Sequence, residues 1–60
     1  MHKFSVAQTV RIKDARPFPE LRGLTGLVTG IPDRRHGRKY YVVKVNGHEY
    51  AFKALELEAA

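Results

Sequence analysis

Two closely spaced glycines constrain the fold of this chain more than any other feature. Gly23 and Gly26 stand three residues apart, directly before a short apolar run over residues 27–31. Glycine accepts positive φ and lets a second backbone approach closely, so the segment is typical of a chain that turns tightly into a strand. Gly30 within the run indicates a bulge or a sharp bend, as a tightly coiled barrel needs. The pattern predicts a second strand over 27–31 in a small, strongly bent antiparallel sheet.

A hairpin over residues 40–52 is the best-determined part of the predicted sheet. Asn46-Gly47 lies between β-rich runs, and both central positions of a type I′ turn require positive φ. The turn pairs Val45 with His48, Lys44 with Glu49, Val43 with Tyr50, Val42 with Ala51 and Tyr41 with Phe52. One face then carries Tyr41, Val43, Val45, Tyr50 and Phe52, and the other carries Tyr40, Val42, Lys44, Glu49 and Lys53. A slip by one residue would bury Lys44 and Glu49, so the hydrophobic pattern supports this register.

The remaining elements follow from apolar alternation and from proline. A first strand is predicted over residues 8–13, where the apolar Val10 and Ile12 alternate with basic side chains. Residues 14–22 contain two prolines, which are incompatible with a helix interior and with a central strand. We expect this segment to be an ordered loop in which Phe18 or Leu21 packs against the core. Residues 32–39 form a polar, basic hairpin loop with its tip near His36-Gly37.

The chain end is predicted to form one helical turn and a short last strand. In that interpretation Leu55 and Leu57 both point inward. An amphipathic helix is the rival interpretation, but so few residues do not form a helix that is stable alone.

Length and composition limit the protein class. Sixty residues make a single domain over 1–60, and a chain of this length hides only about 60% of its unfolded surface on folding. The chain contains no cysteine, which excludes disulfides and thiolate metal sites and leaves a compact barrel core or self-association as stabilisers. The polar start and the lack of a long apolar run argue against a secretory signal and a membrane span. We therefore expect a cytoplasmic protein with no membrane partner; its oligomeric state stays open.

The charge balance points to an anionic partner. Eleven Lys and Arg against six Asp and Glu give a net charge of +5 at pH 7. Such a balance favours binding to nucleic acid, to an acidic protein surface or to anionic lipid. The alternative is that the charge only keeps the protein soluble. Four basic residues fall within 34–39, whereas three of the six acidic residues lie in the last dozen positions. This concentration favours a binding partner.

An exposed aromatic residue is predicted beside the basic cluster. Tyr40 lies on the outer face of the hairpin next to Lys39, and single-stranded nucleic acid stacks its bases on such aromatic residues among basic groups. The alternative is that Tyr40 only covers the open edge of the barrel. Phe18, between two prolines, is a second candidate for an exposed aromatic. The candidate nucleic-acid-binding residues are Arg11, Lys13, Arg34, Arg35, Arg38, Lys39 and Tyr40.

The sequence provides no constellation for catalysis or metal binding. His2, His36 and His48 are the only histidines, and none has a second ligand at metal spacing. Ser5 is the only serine, which argues against a nucleophilic triad, and the carboxylates suggest no paired acid–base site. The glycines lack the Gly-Lys-Ser/Thr ending of a phosphate-binding loop. We expect no catalytic residues, no metal and no cofactor.

The order of strands and turns resembles the SH3-like barrel and, within it, the KOW-type module. The resemblance is carried by Val10-Arg11-Ile12-Lys13, by Gly23-Leu24-Thr25-Gly26-Leu27-Val28 with Ile31, and by Tyr41-Val42-Val43-Lys44-Val45, and it covers roughly residues 6–57. The chain has Ala7-Gln8 where KOW modules usually have Gly-Asp, and its first loop is longer. KOW modules occur in transcription elongation factors of the NusG type and in ribosomal proteins, where they contact RNA or other proteins. The resemblance implies a binding role and supplies no catalytic residues.

Two other families with SH3-like barrels give the alternatives. Type II plasmid-borne dihydrofolate reductases look similar at Tyr50 and at residues 54–56, but their pore sequence Val-Gln-Ile-Tyr is replaced here by Gly47-His48-Glu49-Tyr50. Only the tyrosine carries over. Small basic subunits of photosynthetic complexes, such as the stromal E subunit of photosystem I, resemble the chain in size, strand order and charge. That resemblance implies docking to an acidic protein, which is the alternative to the nucleic-acid-binding module that we expect.

Overall fold

Five antiparallel strands form one sheet in the computed structural model, which describes residues 3–60. The strands are β1 (Thr9–Ile12), β2 (Thr25–Gly30), β3 (Tyr41–Val45), β4 (His48–Phe52) and β5 (Leu57–Ala59). Single 3-10 turns lie in the connections, namely η1 (Pro19–Leu21), η2 (Arg34–His36) and η3 (Ala54–Glu56). The strand order is β4-β3-β2-β1-β5. The predicted class, an all-β, SH3-like barrel with a short helical turn before the last strand, is confirmed. His2, considered above as a metal ligand, lies outside the described residues.

The hairpin of β3 and β4 has the register that its turn predicts. All the predicted pairs are present, from Val45 opposite His48 to Tyr41 opposite Phe52. The backbone φ is 51° at Asn46 and 83° at Gly47, as the type I′ turn requires. On the outward face, Lys44 stands opposite Glu49, whose Oε2 accepts a hydrogen bond from Thr29 Oγ1 at 2.9 Å. Thr29 on β2 therefore holds this carboxylate from across β3.

Substitution of Gly47 by valine tests the turn. A Cβ added at Gly47 meets no atom within 4 Å, so the change acts only through the backbone. Because a β-branched residue is strained at positive φ, we expect Gly47→Val to lower the free energy of unfolding by more than about 1 kcal/mol. Urea unfolding followed by circular dichroism measures this loss. The control Asn46→Gly keeps positive φ accessible and should change stability by less than about 0.5 kcal/mol; equal losses in the two variants would contradict the assigned turn.

Gly23, before β2, and Gly26, within β2, serve different purposes. Gly23 has a φ of +86° with open space around it, so it provides the turn. Gly26 pairs with Val10, and a Cβ placed there would lie 2.6 Å from Val43 Cγ1 and 2.8 Å from the carbonyl oxygen of Lys44. β2 begins at Thr25, two residues earlier than predicted, because Thr25 and Gly26 pair with Arg11 and Val10 of β1. The predicted bulge is confirmed by the register shift between Val28 and Gly30.

The core lies inside the curled sheet and is almost entirely apolar. Its buried residues are Phe4, Val10, Ile12, Ala15, Leu21, Val28, Tyr41, Val43, Val45, Phe52 and Leu57. Leu21 closes the core beneath the first loop, as predicted. Phe18, half-buried, packs edge-on against Tyr50 and Phe52 with centroid distances of 5.0 and 6.3 Å. Phe18 therefore anchors the first loop and is not available as an exposed aromatic platform.

The start of the described chain is fastened to β3 through one hydroxyl group. The Tyr41 hydroxyl oxygen accepts hydrogen bonds from the backbone N–H groups of Lys3, at 2.8 Å, and Phe4, at 3.2 Å. The ring of Phe4 meets that of Tyr41 edge-on at 5.4 Å. Phe4, which belongs to no strand, thus contributes a buried ring to the core.

The prediction for the chain end is half right. Leu57 is fully buried at the start of β5, but Leu55 is 72% exposed. The η3 turn causes this difference, because its backbone does not alternate side chains as a strand does. Leu55 therefore belongs to the surface. Within residues 3–60 there is no helix whose length and apolar character would let it cross a bilayer.

Candidate nucleic-acid interface

The basic segment between β2 and β3, residues 33–39, is an ordered loop that we call the basic loop. Backbone hydrogen bonds of 2.9 Å join Asp33 and Arg38 in both directions and close it. The Asp33 carboxylate accepts a hydrogen bond from the N–H of Arg35 at 2.9 Å, and its other oxygen lies 2.6 Å from His36 Nδ1. Gly37 is left-handed, with a φ of 66°, and forms the predicted tip. These hydrogen bonds brace the backbone of the loop at the barrel surface.

The cations of the basic loop differ in how freely they face solvent. Arg34, Arg35 and Lys39 are exposed, and within the described part of the chain no carboxylate pairs with them. Arg38 is also exposed, but its Nη1 lies 3.5 Å from the carbonyl oxygen of Ile31, folded back toward the end of β2. Three cations are therefore available to an incoming anion without breaking an ion pair.

Tyr40 connects the basic loop to an open groove, which we call the Tyr40 groove. Its volume is about 710 Å³. One wall comes from the first loop and consists of Lys13, Asp14, Arg16 and Pro17; the other comes from the end of β4 and η3, with Ala51, Lys53, Leu55 and Glu56. Tyr40 is 43% exposed, whereas the next residue, Tyr41, is buried, because successive side chains alternate as β3 begins.

Backbone hydrogen bonds hold the two walls of the groove together. The carbonyl oxygen of Glu56 accepts from the N–H of Lys13 at 2.8 Å and from that of Asp14 at 3.4 Å. This link extends the pairing of β1 with β5 and fixes the first loop against η3. The packing of Phe18 on Tyr50 anchors the same loop from the core side. The groove is therefore a feature of the folded barrel and not a gap between mobile loops.

The groove has more positive than negative side chains. Lys13, Arg16 and Lys53 face two carboxylates, Asp14 and Glu56. One of these is already engaged, because Glu56 Oε1 accepts a hydrogen bond of 2.8 Å from the backbone N–H of Lys53. The groove therefore offers three cations, an aromatic ring and the apolar surfaces of Pro17 and Leu55.

The structure groups the sequence-predicted residues into two sets. Lys13 and Tyr40 share the Tyr40 groove, and the four cations of the basic loop directly precede Tyr40 in the chain. Arg11 stands apart: it lies opposite Glu58 on β5, and their side chains form a half-exposed ion pair of 3.7 Å. The period-2 argument put Arg11 and Lys13 on the same side, but the chain leaves β1 after Ile12, so Lys13 turns toward the groove.

Sequence reasoning missed two cations of the groove, Arg16 and Lys53. The hairpin register did put Lys53 on the face of Tyr40, so a signal for it existed. Arg16 had none, because its position depends on how the proline-containing loop folds over η3. Among residues 3–60, no group of three or more His, Asp or Glu side chains is arranged to hold a metal ion.

Comparison with known proteins adds no identification. No family model, no curated protein and no solved structure matches the chain. The function is therefore inferred from the basic loop and the Tyr40 groove.

Proposed function

We propose that this protein is a nucleic-acid-binding module of the KOW type and that the basic loop makes its principal electrostatic contacts. The observation that carries the proposal is the accumulation of cations on connected surfaces. Seven of the eleven Lys and Arg residues belong to the basic loop or the Tyr40 groove. A polyphosphate backbone is the partner that such a concentration of cations neutralises most effectively, because each contact releases condensed counterions.

The order of the basic loop favours this use. Its hydrogen bonds through Asp33 hold Arg34 and Arg35 on one turn, so little backbone entropy is lost when a ligand binds. The exposed cations contribute little to folding, since surface charges of this kind are worth about 0–1 kcal/mol even when they are paired. Their concentration is therefore better explained by binding than by stability.

A salt titration of a double variant tests the proposal. We expect the parent to bind a fluorescent oligonucleotide with an affinity that falls linearly, in log–log form, between about 50 and 200 mM salt. Arg34→Ala with Arg35→Ala removes two phosphate contacts, so the slope should flatten by about 1.4 on single strands, at about 0.7 per contact. Fluorescence anisotropy at several salt concentrations gives the slope.

A matched variant separates position from net charge. Arg22→Ala with Lys44→Ala also removes two exposed cations, but neither residue belongs to the basic loop or lines the Tyr40 groove. This control should leave the slope nearly unchanged. Equal flattening in both variants would mean that only net charge matters, and failure to bind any nucleic acid at low salt would refute the proposed function.

Docking to an acidic protein is the second candidate, because the same cations complement carboxylates. The exposed Leu55 beside Lys53 supports it, since protein interfaces combine apolar contact with a charged rim. We do not propose an enzyme of the dihydrofolate reductase kind. Tyr50, the one residue shared with the pore sequence of that family, packs against Phe18 and Phe52 at centroid distances of 5.0 and 6.3 Å.

A further inference from the structure

We propose that the Tyr40 groove is a binding site for single-stranded nucleic acid, in which a base stacks on Tyr40 while Lys13, Arg16 and Lys53 contact the adjoining phosphates. This inference rests on the proposed function and extends it from the basic loop to a defined groove. It assigns binding roles to two residues, Arg16 and Lys53, that lie far from the basic loop in sequence.

The shape of the groove suits an unpaired strand. Its volume of about 710 Å³ falls within the ~300–1,000 Å³ range of sites for drug-sized molecules. A nucleotide is a molecule of that size. Tyr40 lines the groove, and 43% of the residue is exposed to solvent. A base can reach this ring only when it is not stacked inside a duplex.

The protein offers less to a duplex. Reading the major groove of DNA requires a helix or a two-stranded ribbon that projects into it. In residues 3–60 the helical segments are three-residue 3-10 turns, too short for this purpose. The hairpin of β3 and β4 ends in Asn46-Gly47, which carries no charge.

The charges of the groove can accommodate a phosphate backbone. Lys13 and Arg16 come from the first loop and Lys53 from the end of β4, so a strand in the groove meets cations from two separate segments of the chain. Asp14 and Glu56 oppose these three cations, so the groove keeps an excess of one positive charge. The basic loop leads into Tyr40, and its cations can contact the same strand where it leaves the groove.

The first test compares two variants of Tyr40 on a single strand and a duplex. The probe is a labelled oligothymidylate of about 12 nucleotides, within the site size of small nucleic-acid-binding barrels, with a duplex of equal length beside it. We expect Tyr40→Ala to weaken single-strand binding about 5- to 150-fold, the range for loss of one stacked base. Tyr40→Phe keeps the ring and should bind like the parent. The duplex should bind more weakly and be insensitive to Tyr40→Ala.

The second test addresses the new cations. Arg16→Ala with Lys53→Ala should flatten the single-strand salt slope by about 1.4, whereas the control Arg22→Ala with Lys44→Ala should not. Lys44 lies four residues from Tyr40 along the chain, about 13 Å at ~3.3 Å per residue. All four positions are exposed, and circular dichroism melting verifies that each variant is folded.

The outcomes separate this inference from the proposed function. Equal affinity for duplex and single strand, or no effect of Tyr40→Ala and the Arg16–Lys53 double variant, would overturn the groove proposal. If Arg34→Ala with Arg35→Ala still flattened the slope, the proposed function would survive that result. If no nucleic acid binds at low salt, both proposals are refuted. Saturable binding of poly-glutamate in that case would favour docking to an acidic protein.

Discussion

Leu57→Ala is expected to lower the free energy of unfolding by about 2–5 kcal/mol, the usual loss for truncating a buried leucine. Leu57 is fully buried at the start of β5, where it pairs with Ile12 across the sheet. A chain of sixty residues has a total stability of only about 3–9 kcal/mol, at ~0.05–0.15 kcal/mol per residue. The variant should therefore be mostly unfolded or have a strongly reduced midpoint in urea.

Leu55→Ala provides a matched control two positions away. The same side chain is shortened, but Leu55 is 72% exposed, so the loss should stay within about 0.5 kcal/mol. Urea unfolding of the two variants side by side measures the difference. Similar losses at Leu55 and Leu57 would mean that both leucines point inward, and the η3 turn would then be assigned wrongly.

Gly26→Ala should destabilise the protein by about 3 kcal/mol, the upper part of the range for overpacking a core. The added Cβ would stand 2.6 Å from Val43 Cγ1, 2.8 Å from Val45 Cγ2 and 2.8 Å from the carbonyl oxygen of Lys44. The backbone oxygen cannot rotate away as a side chain can. β2 and β3 would therefore have to separate at the center of the sheet.

Gly23→Ala distinguishes this steric effect from the conformational freedom of glycine. Gly23 has positive φ, but nothing lies within 4 Å of its added Cβ. The expected loss is that of a left-handed alanine, about 1–2 kcal/mol. Thermal melting of both variants gives the ranking, and a Gly26→Ala variant as stable as Gly23→Ala would contradict the close approach of β2 to β3.

Local rules were sufficient for the hairpin register and for the bulge at Gly30. The turn at Asn46-Gly47 fixes which residues face each other, and a period of two then fixes which side chains point inward. Both rules act between neighbours in sequence, so the complete β3–β4 register could be predicted. Gly30 likewise indicated its bulge, because an interior glycine is typical of such irregularities.

The candidate site was predictable only in part, because some of its residues are neighbours in sequence and others meet only in the folded protein. The basic loop is continuous in sequence, and the register put Tyr40 on the outer face beside it. The groove, by contrast, is built from residues 13–17, from Tyr40 and from residues 51–56, which meet only when the barrel closes. No spacing in the sequence predicts that meeting.

The sequence by itself determined the all-β class, the hairpin register and the location of the basic cluster, because each follows from local backbone geometry or from composition. Only the tertiary structure decided that Arg11 pairs with Glu58 and that Arg16 and Lys53 join Tyr40 in one groove. The physical reason is the closure of β1 against β5, continued by the hydrogen bond from the N–H of Lys13 to the Glu56 carbonyl oxygen at 2.8 Å. This contact between distant parts of the chain brings the first loop over η3 and creates the groove.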